Sequence, residues 1–416
     1  MIQAVRGTKD ILPDSIGYWQ FLQDTFKSTS EIFGYNELRT PIFEKTEVFV
    51  RSIGESSDIV NKEMYTFDDK GRDSITLRPE KTAALVRAVL QNSMMGQSNT
   101  QRLWYFGPFF RYERPQKGRM RQFHQYGAEC LGSPNPEADA EVILLADRII
   151  KNIGIKEYKL LLNTLGTAQN RQNYKDELLK YLLGIKEKLS PDSQNRLEKN
   201  PLRVLDSKAP EDKEAVENAP KILECLDEES SIHFEEVKSL ISDANIEIVL
   251  EPKLVRGLDY YSHTVFEFQS SALGSQDSLG GGGRYDGLFE QFGGKSTPAV
   301  GFAMGVERLL IILEAMKNLP EIDKSPDLFI VTAEHGVYAK AQEIATELRK
   351  QGFKIISDLH RRSIKAQMRE ANKLGSKFTL VLGGNEIESG KVYLKNMGDG
   401  SQREVAFENV GDYLKS

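Results

Sequence analysis

The sequence predicts an α+β protein in which a sheet domain is interrupted by a helical insertion and followed by a separate α/β domain. Its 416 residues exceed the length at which a single hydrophobic core stops growing. Strand-like segments break off near residue 165, give way to polar helices, and resume near residue 251. A charged linker with two prolines, "KNLPEIDKSPD", precedes a final alternation of strands and helices. The predicted domain limits are 1–164, 165–250 for the insertion, 251–322 and 327–416.

Composition limits the function classes open to the chain. Hydrophobic residues make up 39%, charged residues 28%, and the formal net charge is −6, as in a soluble globular protein. A general basic field for nucleic acid is excluded, so any polyanion must meet a local patch. Cys130 and Cys225 lie far apart and outside any CxxC pair, which argues against a disulfide framework or a zinc site. Without an apolar run of about 18 residues, the sequence predicts a cytoplasmic protein with no membrane span.

The first domain begins with a predicted amphipathic helix between Ser15 and Phe33, followed by Gly34 as a stop signal. "NELRTPIFEKTEVF" is typical of a strand, with Pro41 marking an edge or an interface. "DSITLRPE" predicts a strand that feeds a helix at "EKTAALVRAVL". "QRLWYFGPFFRYE" and "MRQFHQYGAEC" predict a long hairpin with the basic loop Arg114–Gly118 at its tip.

The later segments divide into the helical insertion, the rest of the sheet domain and the tail. "YKDELLKYLLGIKEKL", "EAVENAPKILECLDEE" and "FEEVKSLISDA" predict the helices of the insertion. "VRGLDYYSHTVFEFQ" and "LGGGGRYDGL" indicate strands, and "PAVGFAMGVERLLIILEAM" a strand that enters a helix. In the tail, "DLFIVTA", "FKIISD" and "FTLVLGG" predict strands that alternate with helices at "VYAKAQEIATELRKQG" and "SIKAQMREANKLG".

The stretch "FRYERPQKGRMRQ" concentrates positive charge around Glu113, and its five cations are Arg111, Arg114, Lys117, Arg119 and Arg121. An arginine fixed on a strand, such as Arg111, can clamp a phosphate, while a loop cation such as Arg119 can close over outer phosphates. On a regular strand, Glu113 would face the same side as Arg111, where it could accept from an adenine amine or hold the arginine. The alternative is a solvated charge cluster, whose ion pairs contribute at most about 1 kcal/mol.

Three other segments carry candidate site residues, each with a structural alternative. In "PAVGFAMGVERL", Gly301 and Gly305 would let the backbone approach a flat ligand that Arg308 contacts, or they simply permit close packing. In "TLRPEKTAALVRA", Glu80 at a helix start could hold a ligand ammonium or only cap the helix. In "LVRGLDYYSHTVFEF" and "GGGGRYDGL", the glycine run near Tyr285 suits a small ligand or a mobile loop.

In this order the segments resemble the class II aminoacyl-tRNA synthetases, and specifically the histidyl-tRNA synthetase family. "GYNELRTPIFEKTEVF", "FRYERPQKGRMRQFHQ" and "GFAMGVERL" are similar to the three class II motifs. "LVRGLDYYSHTVFEF", "FHQYGAE", "LRPE" and "NPLRVLDSK" carry the histidine signal. The resemblance spans nearly the whole chain. It implies an antiparallel catalytic sheet, a helical insertion and a C-terminal anticodon-binding α/β domain.

The resemblance also implies roles for individual residues. Arg111 and Arg256 would be catalytic, since both place positive charge at the α-phosphate of ATP. The implied ATP-binding residues are Arg111, Glu113, Arg119 and Arg308. The implied histidine-binding residues are Glu80, Lys81, Thr82, Arg111, Gln125, Glu129, Arg256, Tyr260, Tyr261 and Tyr285. No metal ligand is assigned.

Lys81 departs from the family pattern, because many bacterial relatives have "LRPEGT" where this chain has "LRPEKT". A cation in the first helical turn opposes the helix dipole by about 0.3–1 kcal/mol. We expect its side chain to point to solvent, with a ligand contact as the alternative.

The implied function is ligation of L-histidine to tRNA(His) through histidyl-adenylate, by a cytoplasmic homodimer that uses ATP with Mg²⁺. The implied dimer seam contains Pro41. Two alternatives stay open: a catalytically silent regulatory paralogue, and a class II enzyme for another amino acid. In the tail, Lys365, Lys373 and Lys377 are candidate contacts to tRNA phosphates, although surface solvation explains each of them equally well.

Overall fold

The computed structural model describes residues 2–54, 57, 59–197, 200–205, 207, 209–256, 258, 260–271 and 278–415. They form two compact units that divide after residue 320. The strands are β1 Asn36–Glu37, β2 Phe43–Lys45, β3 Tyr65–Asp68, β4 Ser74–Leu77, β5 Gln101–Phe110, β6 Gln122–Leu131, β7 Lys159–Thr164, β8 Ile248–Leu250, β9 Ser262–Gln269, β10 Ser278–Arg284, β11 Ala299–Gly305, β12 Leu328–Thr332, β13 Ile355–Ser357, β14 Phe378–Leu382, β15 Lys391–Asn396 and β16 Gln402–Ala406.

The α-helices are α1 Ile16–Ile32, α2 Thr46–Ile53, α3 Thr82–Gln91, α4 Pro136–Asn152, α5 Ala168–Gly184, α6 Pro191–Arg196, α7 Leu202–Leu205, α8 Pro210–Ala215, α9 Glu228–Asp243, α10 Leu288–Gln291, α11 Val306–Ala315, α12 Tyr338–Lys350, α13 Ile364–Lys373, α14 Gly384–Ser389 and α15 Val410–Leu414. Single turns of 3₁₀ or π helix lie at Ile59–Glu63, Met94–Gly96, Lys186–Lys188, Ile222–Cys225, His335–Val337 and Phe407–Asn409.

The larger unit is built on an eight-stranded sheet with the order β1-β5-β6-β11-β10-β9-β7-β8. The pairs are antiparallel except β1 with β5 and β7 with β8. Alternate residues point to opposite faces. On one face, Trp104 and Phe302 pack in the main core with helices α1, α4, α9 and α11. On the other, Tyr105 and Tyr285 pack with parts of α3 and α10 and leave space for a site.

Several predicted elements are confirmed. Helix α1 ends at Ile32, and Gly34 has the left-handed φ of +78° that suits a residue after a helix. Strand β4 feeds α3, and β11 enters α11, as the sequence predicts. The glycine run Gly280–Gly283 forms part of β10 rather than a loop.

The hairpin of β5 and β6 is also present, but its strands stop earlier than predicted. Strand β5 ends at Phe110 and β6 begins at Gln122, so Arg111 and Glu113 lie in the connecting loop. The prediction that Glu113 shares a strand face with Arg111 is therefore wrong. Glu113 contacts Arg119 instead, at 3.4 Å.

Two other predictions need correction. The strand predicted across "NELRTPIFEKTEVF" is limited to β1 and β2, because Val48, Phe49, Ser52 and Ile53 have helical spacing and bury one face of α2. The helix predicted at "EAVENAPKILECLDEE" is absent as a continuous element: α8 ends at Ala215 and only a 3₁₀ turn follows at Ile222–Cys225. Pro220 lies between them, and a proline cannot donate the backbone hydrogen bond that a helix needs.

The helical insertion has a small core of its own, formed by residues of α5 to α8 such as Tyr174, Leu178 and Val204. Helix α9 and strand β8 pack elsewhere. Phe234, Val237 and Ile241 of α9 belong to the main core, and β8 pairs with β7. The domain limits remain predictions, and this packing leads us to propose that the inserted module ends before α9.

The C-terminal unit has a five-stranded sheet with the order β13-β12-β14-β15-β16. Strand β12 is parallel to β13 and β14, which confirms the predicted alternation. The antiparallel hairpin of β15 and β16 was not predicted. Lys377 is held by Asp323 and Asp327 of the same unit, at 3.1 and 3.0 Å.

Across the described ranges of the chain, none of the helices has both the length and the apolar composition of a membrane span.

Candidate active site

A cavity of about 240 Å³ opens on the sheet face that carries Tyr105 and Tyr285. Strands β5, β6, β10 and β11, the start of α3 and the segment before β9 supply its walls. Every site residue predicted from the sequence lines it: Glu80, Lys81, Thr82, Arg111, Glu113, Arg119, Gln125, Glu129, Arg256, Tyr260, Tyr261, Tyr285 and Arg308. Segments far apart in sequence therefore meet in one place, and the role of each residue stays a prediction.

Glu129 is the buried carboxylate of the cavity, with 1% of its surface exposed. The Tyr285 hydroxyl donates to its Oε2 at 2.6 Å, and the Thr82 hydroxyl donates to its Oε1 at 3.0 Å. Burial raises the pKa of Glu129 to about 8, although both hydrogen bonds act in the opposite direction. The carboxylate can therefore exchange a proton near neutral pH.

Gly301 makes room for that carboxylate. It pairs with Glu129 across β6 and β11, and a Cβ at this position would lie 1.5 Å from Glu129 Oε2. The sequence suggested that Gly301 admits a ligand. The structure shows that this glycine admits the side chain of the neighbouring strand.

Glu80 caps helix α3. Its carboxylate accepts from the backbone N–H groups of Thr82, at 2.6 Å, and Ala83, at 2.9 Å. Burial raises its pKa, and the bonds from these amides only partly oppose that effect. The capping role is thus present, and Glu80 also lines the cavity.

The expected orientation of Lys81 is wrong. Its side chain is 2% exposed and lines the cavity instead of pointing to solvent. Its Nζ donates to Thr40 Oγ1 at 2.8 Å and lies 5.5 Å from the centre of the Tyr105 ring. Burial and then the charge of Arg78 lower the pKa of Lys81 to about 7. Lys81 turns inward because the segment before β2 supplies an acceptor inside the fold, the hydroxyl of Thr40.

Aromatic rings close the floor of the cavity. The ring centres of Tyr260 and Tyr261 are 4.7 Å apart, and those of Tyr260 and Tyr285 are 5.6 Å apart. Tyr105 completes this wall and was not predicted. Its only sequence signal is its place in β5 opposite Gly127, a contact that needs the strand register to be known.

Arginines line the same cavity. Arg111 Nε donates to Pro79 O at 2.9 Å, and Arg308 Nη1 donates to Ser278 O at 3.0 Å. Burial and then the charge of Arg119 lower the pKa of Arg308. Several guanidinium groups that line one cavity favour an anionic ligand.

Arg256 reaches the cavity from the segment before β9 and forms an ion pair with Glu267. Burial is the largest single effect and lowers its pKa, but the charge and hydrogen bond of Glu267, together with Tyr261 and Tyr260, leave the pKa above the ordinary value. Within the described part of the chain, Arg256 Nε is buried without a hydrogen-bond partner. Glu267 was not singled out from the sequence, where "VFEFQ" shows only strand alternation.

The largely antiparallel sheet and the arginine-lined cavity with its buried carboxylate fit the class II aminoacyl-tRNA synthetases that the sequence motifs resemble. A model described as histidyl-tRNA synthetase matches residues 7–309, and one described as an anticodon binding domain matches residues 327–416. The chain belongs to the histidyl-tRNA synthetase family.

Individual relatives agree with this assignment. The chain is 48% identical over 418 residues to a histidine–tRNA ligase of Acaryochloris marina, covering 100% of this chain and 97% of the relative. It is 51% identical over 399 residues to a histidine–tRNA ligase of Microcystis aeruginosa, covering 95% and 92%. A crystal structure of apo S. aureus histidyl-tRNA synthetase superposes with a TM-score of 0.85 at 38% identity, covering 100% of both chains.

Proposed function

We propose that this chain ligates L-histidine to tRNA(His), forming histidyl-adenylate from histidine and ATP and releasing diphosphate and then AMP. One observation carries the proposal. Arg111, Arg256 and Arg308 come from separate segments and line a single cavity that also contains the buried Glu129. The charges suit a triphosphate at one end and a small polar side chain at the other.

The first step joins two anions, because the histidine carboxylate attacks the α-phosphate of ATP. Negative charge builds on the phosphoryl oxygens, and fixed guanidinium groups stabilise it. We assign this task to Arg111 and Arg256, and contacts with the rest of ATP to Glu113, Arg119 and Arg308. Holding the reactants in register can contribute about 7–11 kcal/mol to lowering the barrier. No side chain has to act as an acid or a base.

The amino acid is selected at the carboxylate end of the cavity. We assign Glu129 to accept from one imidazole nitrogen, which fixes the tautomer and leaves the other nitrogen for a tyrosine hydroxyl. Glu80 and Thr82 would hold the α-amino group, with Gln125, Tyr260, Tyr261 and Tyr285 completing the pocket. A side chain without these nitrogens leaves buried polar groups unpaired, a penalty that reaches about 10⁴-fold.

Enzymes of this family use ATP with a divalent metal, and we propose Mg²⁺ carried in by the nucleotide. Glu113 lines the cavity among the arginines assigned to the phosphates, and its carboxylate could serve as a ligand for such an ion. Mg²⁺ bound with ATP needs only one or two protein carboxylates beside the phosphates. Within the described ranges, no three His, Cys, Asp or Glu side chains group together, so a dedicated protein cage has no support.

The proposal extends to assembly and location. Ile42 and Phe43 at β2 and Phe67 of β3 are exposed apolar residues on the small sheet β2-β4-β3. This apolar surface, next to Pro41, supports a homodimer that equilibrium sedimentation would detect.

Both cysteines are free thiols, which suits a reducing cytoplasm. In the tail, the match to an anticodon-binding model supports contact with tRNA, with Lys365 and Lys373 as candidate phosphate ligands.

Histidine-dependent exchange of diphosphate into ATP tests the proposal directly. We expect exchange with histidine and none with other amino acids, and a loss of about 10²-fold or more for Arg256→Ala, the size seen when one fixed donor is removed. Arg51→Ala, on the exposed end of α2, is the matched control and should keep full exchange. A chain with no exchange for any amino acid would be a regulatory paralogue. Exchange with a different amino acid would identify another class II specificity.

A further inference from the structure

Arg284 is a buried arginine that lies outside the cavity lining but next to one of its residues. Its side chain has no exposed surface, and neither has that of Asp139, its ion-pair partner on α4. Tyr285, the following residue, lines the cavity and donates its hydroxyl to Glu129 at 2.6 Å. A fully buried ion pair therefore lies one residue from a side chain that holds the carboxylate of the pocket.

The guanidinium group of Arg284 binds the segment that leads into α4. Its Nε donates to both carboxylate oxygens of Asp139, at 3.2 and 3.1 Å, and its Nη2 contacts the same carboxylate. Nη1 donates to Ser133 O at 2.9 Å, and Nη2 donates to Asn135 O at 3.1 Å. All three nitrogens of the side chain are engaged, an arrangement that the planar fork of arginine permits and the single ammonium of lysine does not.

The residues on either side of Tyr285 hold its backbone in place. Arg284 Nη1 donates to Asp286 Oδ1 at 3.2 Å, and the same oxygen accepts from the backbone N–H of Ala299 at 2.9 Å. The Tyr285 N–H donates to Ala299 O at 2.7 Å. The end of β10 is thereby tied to the start of β11 and, through Asp139, to α4. The direction of the Tyr285 side chain depends on this network.

We propose that Arg284 and Asp139 are positioning residues: their ion pair sets Tyr285 at hydrogen-bonding distance from Glu129 and so determines the affinity of the pocket for histidine. The proposal rests on the proposed function, in which Glu129 accepts from the imidazole. The pair has a task beyond folding, because apolar residues of similar volume often stabilise a fold as well as a buried ion pair does. What the forked pair adds is direction, since its hydrogen bonds are set in angle as well as in distance.

Arg284→Lys tests the proposal, because it keeps the charge and removes the fork. In histidine-dependent diphosphate exchange, we expect the KM for histidine to rise about 10-fold, the size set by one hydrogen bond to a charged group. The KM for ATP and kcat should stay within about threefold of the natural values, since the lost contact orients the amino-acid pocket alone.

Arg102→Lys is the matched control. Arg102 forms the same kind of fork onto Glu141 of α4, with Nε at 2.7 Å and Nη2 at 2.9 Å. Neither Arg102 nor its two neighbours in the chain line the cavity. Both KM values and kcat should therefore stay unchanged in this variant.

A double-mutant cycle with Tyr285→Phe separates positioning from a general loss of structure. Because Arg284 acts through the Tyr285 hydroxyl, Tyr285→Phe should raise the KM for histidine by a similar factor, and adding Arg284→Lys should raise it by less than about twofold more. Factors that multiply in the double variant would overturn the proposal, as would equal rises in the KM values for histidine and ATP.

A second variant covers the case in which Arg284→Lys does not fold. Asp139→Leu combined with Arg284→Met removes both buried charges, and circular dichroism verifies its fold. We expect the same selective rise in the KM for histidine, and a folded double variant with the natural KM would overturn the proposal. If neither variant folds, the pair is a requirement of the fold and the proposal is likewise overturned.

The natural chain distinguishes this inference from the proposed function. A natural chain without histidine-dependent exchange would refute the proposed function, and this inference with it. An active natural chain whose Arg284→Lys variant keeps the natural KM for histidine would refute the inference alone.

Discussion

At the scale of single residues, the buried carboxylate of Glu129 lowers the stability of the folded protein when it is ionised. Glu129 is buried with a pKa of about 8, whereas an unfolded glutamate titrates near about 4.3. The folded state therefore binds its proton more tightly than the unfolded state does. The stability that this proton contributes is complete below about pH 4 and is lost as the pH rises through about 8.

Glu129→Gln should consequently stabilise the ligand-free protein at alkaline pH while it weakens histidine-dependent exchange. The amide keeps the size of the side chain and an acceptor for the Tyr285 hydroxyl, but it carries no buried charge. We expect the free energy of unfolding in urea to rise by at least about 1 kcal/mol at about pH 9, and to change little at about pH 4.

Glu343→Gln provides the control, because Glu343 forms an exposed pair with Lys340 on α12. It should leave the unfolding free energy at both pH values within about 0.5 kcal/mol of the natural chain. A Glu129→Gln protein less stable than the natural chain at the alkaline pH would contradict the assignment of a buried carboxylate that destabilises the fold when it is ionised.

At the scale of elements, the pairing of β6 with β11 decides whether the carboxylate fits. Gly301→Ala places a methyl group 1.5 Å from Glu129 Oε2, so the carboxylate or the strand must move. Such overpacking costs about 1–3 kcal/mol. We expect a lower melting temperature together with a raised KM for histidine in diphosphate exchange, and a smaller effect on the KM for ATP.

Gly287→Ala is the matched control for Gly301→Ala. Gly287 lies just after β10, and a Cβ there meets nothing within 4 Å. Both KM values and the melting temperature should stay close to those of the natural chain. If Gly301→Ala behaved in the same way, the fit of Glu129 against β11 would not be a constraint on the site.

Local sequence was enough to predict the elements whose signals are periodic, such as α1, α12 and the hairpin of β5 and β6. It failed where the deciding contact comes from another segment. The direction of Lys81 depends on Thr40, the function of Gly301 on the register with Glu129, and the state of Arg256 on Glu267. Resemblance to a family supplied the site residues, but it could not supply these partners.

At the scale of the whole molecule, the positive charge needed for a triphosphate is local, since the chain as a whole carries −6. The arginines of the cavity lie before residue 320, as does Glu80, which caps α3 at the cavity. The tail has its own sheet and its own core, which includes Leu328, Leu380 and Val392. Each unit therefore has what it needs to fold on its own.

A chain that ends at Pro320 should keep histidine-dependent diphosphate exchange and lose most of its ability to charge tRNA. The first expectation follows because every residue lining the cavity is retained. The second follows because the part matched by the anticodon-binding model is removed, and with it the contacts that place tRNA. Exchange and aminoacylation should be measured on the same preparation, with the full-length chain as the control and circular dichroism to verify folding. Loss of both activities in a folded truncated chain would mean that the tail supports the catalytic sheet or the dimer, and loss of neither would remove the tail from tRNA binding.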